Sequence, residues 1–421
     1  MPVTKRHRYD SIAVLIAVLG LVVAITAEAT ADDPQQVLTF CSGFRHSCAV
    51  VGDRVKCWGI AHYAMVGESD TAVHVDPPAF VPGLQNVTSL ACGRVHTCAI
   101  VNGGEVFCWG HNDNGELGDG TIEHKAVPTR VPGLVGRAVS VRMGEVFACA
   151  VVETPPMNVH RVFCWGDNRL IQFKSRPRFT QPVLINGQRD VVEISQLELG
   201  QHHGCILVEK PGPRHVRCWG DNQVGQLGNA RRFNSASMTR VVKSAAYKFT
   251  RISSMCGFLP AKGIMCWGPQ RNFSDPDSQL DTIINRRPVA WPGFQKFKYL
   301  DKARMCAIIV ETEGNKHQKP PRSSSAPVVN NKRKVVCYGP NYEGQLGDGS
   351  TNTRFPDYPG EVLGLPADME PVEVSEGLEF RCVLMRNATA SDVYCWGSNS
   401  GGKLGINRGS LFESLPARVL L

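Results

Sequence analysis

Sixteen cysteines and twelve histidines have the widest choice of chemistry in this 421-residue chain. Both residue types bind zinc, and paired thiols form disulfides. The cysteines fall largely into couples, the second member standing directly before Trp-Gly, or before Tyr-Gly at Cys337. The couples are Cys48 with Cys57, Cys98 with Cys108, Cys149 with Cys164, Cys205 with Cys218, Cys256 with Cys266, Cys306 with Cys337, and Cys382 with Cys395. His46, His96 and His203 each lie two residues before a first-member cysteine, and a zinc site would start from there. Phe147, Ser254, Arg304 and Phe380 hold that position in the other four couples, and 8 to 30 residues separate the two cysteines. Metal knuckles keep short, fixed spacings, so disulfides are expected and neither a metal nor a cofactor is. The histidines are expected to cap strand ends by hydrogen bonding.

No G-x-S-x-G elbow, phosphate-binding G-x-x-x-x-G-K-[ST] loop, H-E-x-x-H zinc helix or dinucleotide-binding glycine pattern occurs, and no pair of inward carboxylates can be assigned. The chain is not expected to be an enzyme.

The elements that hold the cysteines repeat. The Cys-Trp-Gly phrase and its Cys-Tyr-Gly variant recur seven times at intervals of 48 to 71 residues, the period of propeller blades. In the second unit, VTSLACGRVHTCAI alternates like a strand, Asn102-Gly103-Gly104 reads as a tight turn, and EVFCWG returns. HNDNGELGDGT is then a Gly-rich turn and VPTRVPGL an outer edge strand where proline is tolerated. The expected fold is all-β: a seven-bladed propeller of four-stranded antiparallel blades with intrablade disulfides. Approximate blades are 36–85, 86–137, 138–190, 191–248, 249–297, 298–371 and 372–421.

The run RVHTCAIVNGGEVFCWGHNDNGELGDGT resembles the repeat of the regulator of chromosome condensation superfamily. It is similar above all to a secreted, cysteine-bearing branch that includes crinkly-type plant receptor ectodomains and bacterial propeller inhibitors of β-lactamase. The resemblance covers essentially the whole chain after residue 31 and implies a seven-bladed ring. The Gly-x-Leu-Gly turn is intact at Gly115 to Gly118, Gly225 to Gly228, Gly344 to Gly347 and, one position shifted, Gly402 to Gly405. It has decayed in blades one, three and five. LPARVLL at the chain end is expected to pair near DPQQVLTF and close the ring.

Within each blade the coupled cysteines fall on adjacent antiparallel strands, where facing Cα atoms stand about 4.5 to 5.5 Å apart, within disulfide reach. Cys41 and Cys92 lie seven and six residues before the inner cysteines of blades one and two. That offset puts them on opposite strand faces, suited to a bridge between the two blades. The repeated Trp and Gly residues are assigned to packing between blades, because a feature present in nearly every blade serves the repeat itself.

Residues 1–31 read as an export signal: Lys5, Arg6 and Arg8, an uncharged apolar run from Ile12 to Ile25, then Ala27, Ala29 and Ala31. The run is short for a spanning helix, so the membrane enters only as an uncleaved anchor. Propeller residues 32–421 are expected to be secreted, where disulfides persist.

Charge is lopsided. From Arg169 to Lys334 there are 28 Lys and Arg against 11 Asp and Glu, whereas the rest after residue 31 holds 15 against 25. Binding candidates for an anionic partner are Arg231, Arg232, Arg286, Arg287, Lys296, Lys298, Lys332, Arg333 and Lys334, the last three ending a basic loop insertion at 311–334. Asn86, Asn272 and Asn387 fit the N-glycan acceptor pattern. The function expected is an extracellular binding scaffold, monomeric, for a protein or an anionic polysaccharide, with no nucleic acid. The alternatives are guanine-nucleotide exchange and chromatin binding, as in the nuclear branch, or inhibition of a secreted enzyme.

Overall fold

The second strands are nearly all apolar and the first and fourth are mixed, a pattern that stacks sheets face to face and wets their inner and outer edges. The computed structural model describes residues 36–61, 74–156, 159–169, 176–210, 212–247, 249–253, 255–259, 263–271, 282–290, 305–310, 332–354 and 359–421. Seven antiparallel sheets follow one another along the chain, over 37–80, 87–130, 137–184, 193–240, 251–290, 306–361 and 370–418. Six have four strands, each strand bonded to its sequence neighbours. The sixth has three among the described residues: Cys306–Val310, Arg333–Cys337 and Gly360–Glu361. The protein is an all-β, seven-bladed propeller.

The second strand of each blade lies between two neighbouring blades. His46–Val51 and His96–Val101 are buried at every position, which explains why HSCAVV and HTCAIV read as runs rather than alternations. The outer strand Lys125–Arg130 is never fully buried and carries Pro128, whose missing N–H is tolerated on an edge. Asn102, Gly103 and Gly104 join the strands His96–Val101 and Glu105–Gly110, all three at positive φ.

All sixteen cysteines are joined in eight disulfides. Seven staple the second strand to the third within a blade, with Cα atoms 4.0 to 4.1 Å apart. The eighth, Cys41–Cys92, ties the innermost strands of blades one and two at a Cα separation of 5.5 Å. Cys41 is the cross-strand partner of Cys48, but Ala91 rather than Cys92 partners Cys98. That single-residue phase difference aims the two sulfurs at each other.

Closure differs from the expectation. The C-terminal strand Phe412–Arg418 pairs inside blade seven, and the N-terminal strand Val37–Ser42 pairs inside blade one, so no strand bridges the seam. Each blade comes from one stretch of chain, and among the described residues the seam is held by side chains and by one backbone bond, Leu378 N to the Phe44 carbonyl at 3.1 Å. Val37 N donates to Ser391 Oγ at 2.6 Å and Ser42 N to Ser375 Oγ at 2.9 Å, while Val37, Phe40, Phe380 and Val419 share a core.

The expected export signal, 1–31, lies outside the described residues. No helix among the described residues is long and apolar enough to cross a membrane.

Candidate functional site

Separating function from structure begins at the joints between blades. Trp165 of blade three donates its indole N–H to the Glu116 carbonyl of blade two at 2.8 Å. Trp267 and Trp396 repeat this to Gln226 and Gln345 at 2.8 and 2.9 Å. The indole also lies against the second glycine of the Gly-x-Leu-Gly turn: a Cβ on Gly118 would stand 2.7 Å from Trp165 Cδ1, and its φ is +69°. Trp219 Nε1, by contrast, has no partner among the described residues. The repeated Trp and Gly are therefore joint residues.

A third joint residue was not singled out in the sequence. Asn112, Asn222, Asn341 and Asn399 are buried, and each accepts a hydrogen bond on Oδ1 from the Leu of its turn at 2.8 to 3.1 Å. Their Nδ2 groups bind the carbonyls of the outgoing loop, Arg231 and Phe233 in blade four at 3.1 and 3.2 Å. The signal was present as the Asn two residues after Trp-Gly or Tyr-Gly in five blades, Ala61 and Gln270 standing there in blades one and five.

Turns from first to second and from third to fourth strand emerge at the same end of an antiparallel meander, so these loops share one face. On it, Asn222 fixes the backbone of blade four's turn, while Arg231 and Arg232 are exposed and Phe233 is 81% exposed. Tyr342 and Leu411, 78% and 79% exposed, stand in corresponding turns of blades six and seven.

Blade two's turn is built from different groups. His111 Nε2 lies 3.1 Å from Asp113 Oδ2, and His111 Nδ1 lies 3.4 Å from Glu116 Oε1. His124 stacks on His111 with ring centroids 4.7 Å apart, points Nε2 at Asp113 Oδ1 from 3.7 Å, and accepts the Asn112 backbone N–H on Nδ1 at 3.0 Å. Burial alone would lower the His111 pKa, but the hydrogen bond and charge of Glu116, with Asp113, hold it above the ordinary value. Glu116 is wholly buried, which favours its neutral form, yet the His111 bond and the nearby His96 keep it below the usual carboxylate range.

The three predicted capping histidines behave otherwise. His46 and His96 lie flat on the glycine three residues earlier; a Cβ on Gly43 or Gly93 would meet the ring at 2.5 Å. Phe147 and Phe380 occupy the same niche over Gly144 and Gly377. Five blades place a flat ring at this position, while Ser254 and Arg304 hold it in blades five and six. His46 Nε2 does meet Thr97 Oγ1 at 2.8 Å, but in the neighbouring blade. Burial pushes His46 down to about 3 and His96 to about 4.

Models of the regulator of chromosome condensation (RCC1) repeat match residues 87–116 and 103–151, the stretch containing this turn and its Trp joint. The chain carries RCC1-type repeats there and is similar to RCC1-like propellers. It is 29% identical over 222 residues to the E3 ubiquitin-protein ligase HERC2 of Homo sapiens, covering 51% of this chain but 4% of that protein. It is 26% identical over 346 residues to the ultraviolet-B receptor UVR8 of Arabidopsis thaliana, covering 80% and 70%. Its fold matches Prp20p of Saccharomyces cerevisiae with a TM-score of 0.64 at 17% identity, over 92% of this chain and 88% of that one.

In this RCC1-like propeller the predicted basic residues do not form one set. Arg231 and Arg232 project from blade four's turn. Arg333 and Lys334 are not loop residues: they belong to the strand Arg333–Cys337, paired with Val310 and Ile309, because the 306–337 hairpin extends past its staple. Lys334 is already ion-paired with Glu361 at 3.0 Å, and Lys332 is exposed just before the strand. The backbone of Arg286 and Arg287 lies in the strand Thr282–Ala290, and their side chains fall outside the described residues. Lys296, Lys298, Asn272 and insertion residues 311–331 are also outside them. Asn86 is exposed, and Asn387 forms a hairpin tip where its Oδ1 accepts the Thr389 and Ala390 N–H groups.

A central cavity of about 160 Å³ is lined by inner-strand residues including Arg142, Glu198, Glu373 and the Cys41–Cys92 bridge. It brings together two carboxylates that could not be assigned from sequence. Glu198 has Arg142 at 3.8 Å and Glu373 accepts the Thr39 hydroxyl at 3.2 Å. A stapled ring of this family is consistent with a protein-interaction scaffold.

Proposed function

We propose that the chain is exported and works outside the cytosol as a protein-interaction scaffold, with blade four's turn docking an acidic partner. The observation that carries this reading is the combination of a fixed backbone and free-standing side chains at Arg231, Arg232 and Phe233. Asn222 holds the carbonyls of Arg231 and Phe233, so an aromatic group and two guanidinium groups are presented with little backbone entropy left to lose. Arginine and aromatic residues dominate the energetics of protein interfaces. Full pairing of sixteen cysteines supports an oxidising compartment. The positive balance from Arg169 to Lys334 supports an acidic protein or an anionic polysaccharide, whose encounter it would accelerate.

Heparin-agarose tests the charge reading directly. The purified chain is expected to elute at higher salt than R231A/R232A; equal elution would remove the basic turn from the account. Capture of secreted proteins is expected to weaken in F233A while heparin elution stays unchanged. Recovery of tagged full-length protein in the medium, without residues 1–31, tests the address.

A second reading comes from Prp20p, whose structural description names binding to Gsp1p and histones. An exchange or histone-binding role would place this chain in the nucleus, so nuclear staining of the tagged protein would replace the exported reading.

A further inference from the structure

Blade two's turn carries a set of side chains that the other intact turns do without. His111, Asp113, Glu116 and His124 correspond in register to Asp221, Gln223, Gln226 and Asn234 in blade four. Blade six has Pro340, Tyr342, Gln345 and Thr353 at these positions, and blade seven has Ser398, Ser400, Lys403 and Leu411. Those turns close on the same buried Asn and Leu, so the fold does not call for two histidines and two acids here. Repetition assigns Trp and Asn to architecture; by the same logic, this departure points away from architecture.

The donor atoms converge. Asp113 oxygens lie 3.1 Å from His111 Nε2 and 3.7 Å from His124 Nε2, and one ligand atom from each residue falls within 4.8 Å of the others. A tetrahedral ion with bonds of about 2.0 to 2.2 Å sets its ligands roughly 3.3 to 3.5 Å apart, between the two distances seen. Glu116 stands behind His111 with Oε1 3.4 Å from Nδ1. A carboxylate there holds a proton on Nδ1 while an ion takes Nε2. Two imidazoles with one carboxylate suit zinc-class ions better than calcium or magnesium.

We propose that blade two binds one divalent transition-metal ion of the zinc class through His111 Nε2, an Asp113 carboxylate oxygen and His124 Nε2. Glu116 is a positioning residue, and the remaining coordination is left to solvent on the side where Asp113 is 66% exposed. The proton balance is explicit. Without metal, His124 accepts the Asn112 N–H on Nδ1 and so carries its own proton on Nε2. On binding, His124 moves that proton to Nδ1 and releases the Asn112 contact, while His111 gives its Nε2 proton to solvent. Protons compete with the ion for both imidazoles, so affinity rises as pH climbs through the histidine range.

Cobalt(II) and zinc(II) titration of the purified chain, by absorption and calorimetry at pH 6 and pH 8, tests this. Saturable one-to-one binding, stronger at pH 8, is expected. H124N removes a ligand but keeps the cap, because Asn234 caps Asn222 N at 2.9 Å in blade four. It should weaken binding about tenfold or more, and E116Q about 10- to 100-fold without removing a ligand. The graft H111D/D113Q/E116Q/H124N recreates blade four's working turn and should abolish binding with an unchanged metal-free melting curve. Absence of saturable binding, or undiminished binding in H124N and the graft, would overturn the proposal. If the graft fails to fold, H124N alone decides.

Discussion

Trp58 in blade one donates its indole N–H to the carbonyl oxygen of Lys403 in blade seven, 3.1 Å away across 345 residues of sequence. The same bond joins blades two and three, four and five, and six and seven, so the ring closes with its ordinary joint rather than with a shared strand. Gly405 seats that indole: a Cβ there would stand 2.7 Å from Trp58 Cδ1 at φ +65°. Gly52 has nearly the same φ, +64°, with nothing within 4 Å of a Cβ. G52A should therefore report backbone strain alone, about 1 kcal/mol, while G405A adds the clash and costs about 2 to 4 kcal/mol. Urea unfolding of the pair measures the difference, and equal losses would mean that the seam is not packed as described.

Asn222 predicts a second outcome. N222A strips the partner from the buried Leu227 N–H and from two loop carbonyls, and should cost about 2 to 4 kcal/mol. N222D can still accept from Leu227 but cannot donate to Arg231 and Phe233. Hydrogen exchange should therefore rise across 229–234 in both variants, and unchanged protection would separate the loop from its Asn anchor.

The buried histidines set the acid limit. His46 and His96 hold pKa values of about 3 and 4 when folded, against an ordinary value near 6.5. A depressed folded pKa gives stability that is fully present above the unfolded value and is lost as pH falls toward the folded one. The protein should accordingly lose stability between pH 6.5 and 4. H46F/H96F installs the residue found at Phe147 and Phe380, and should lower the acid-unfolding midpoint by roughly one pH unit. His111 runs the other way: its raised pKa gives stability present below the unfolded value and lost as pH rises through the folded one. An acid limb unchanged in H46F/H96F would show that these rings do not control it.

Cys41–Cys92 closes a separation of 51 residues, against 10 for Cys98–Cys108. Chain-entropy scaling assigns roughly 4 kcal/mol to the longer bridge and roughly 2.5 kcal/mol to the shorter. C41A/C92A should thus lower stability more than C98A/C108A, while leaving far-ultraviolet circular dichroism nearly unchanged because no hairpin depends on it. The reverse order would make the interblade tie dispensable.

What the sequence reveals and conceals has physical causes. Contacts that recur in every blade leave a recurring phrase, so Cys-Trp-Gly and its one Cys-Tyr-Gly variant located all seven third strands and their staples. The seam's joint, Trp58 against Gly405, carries the same phrase and turn, but strand exchange could not be read, because Phe412–Arg418 reads as an outer strand whether or not it reaches the N-terminus. Asn112 and its counterparts were visible as letters, but their role lies in hydrogen bonds to residues 9 and 11 positions on. The cluster of His111, Asp113 and His124 went unseen because a 14-residue loop, 111–124, has to fold back before its ends meet. Lys334 looked like loop charge until the 306–337 hairpin placed it in a strand facing Glu361.

Covalent stapling of every blade is the claim on which compartment and architecture both rest, and non-reducing peptide mapping by mass spectrometry of natively isolated protein tests it most directly. Eight linked peptides are expected, seven joining the two cysteines of one blade and one joining Cys41 to Cys92. Free thiols at Cys98 and Cys108, or linkage of either to another blade, would contradict it.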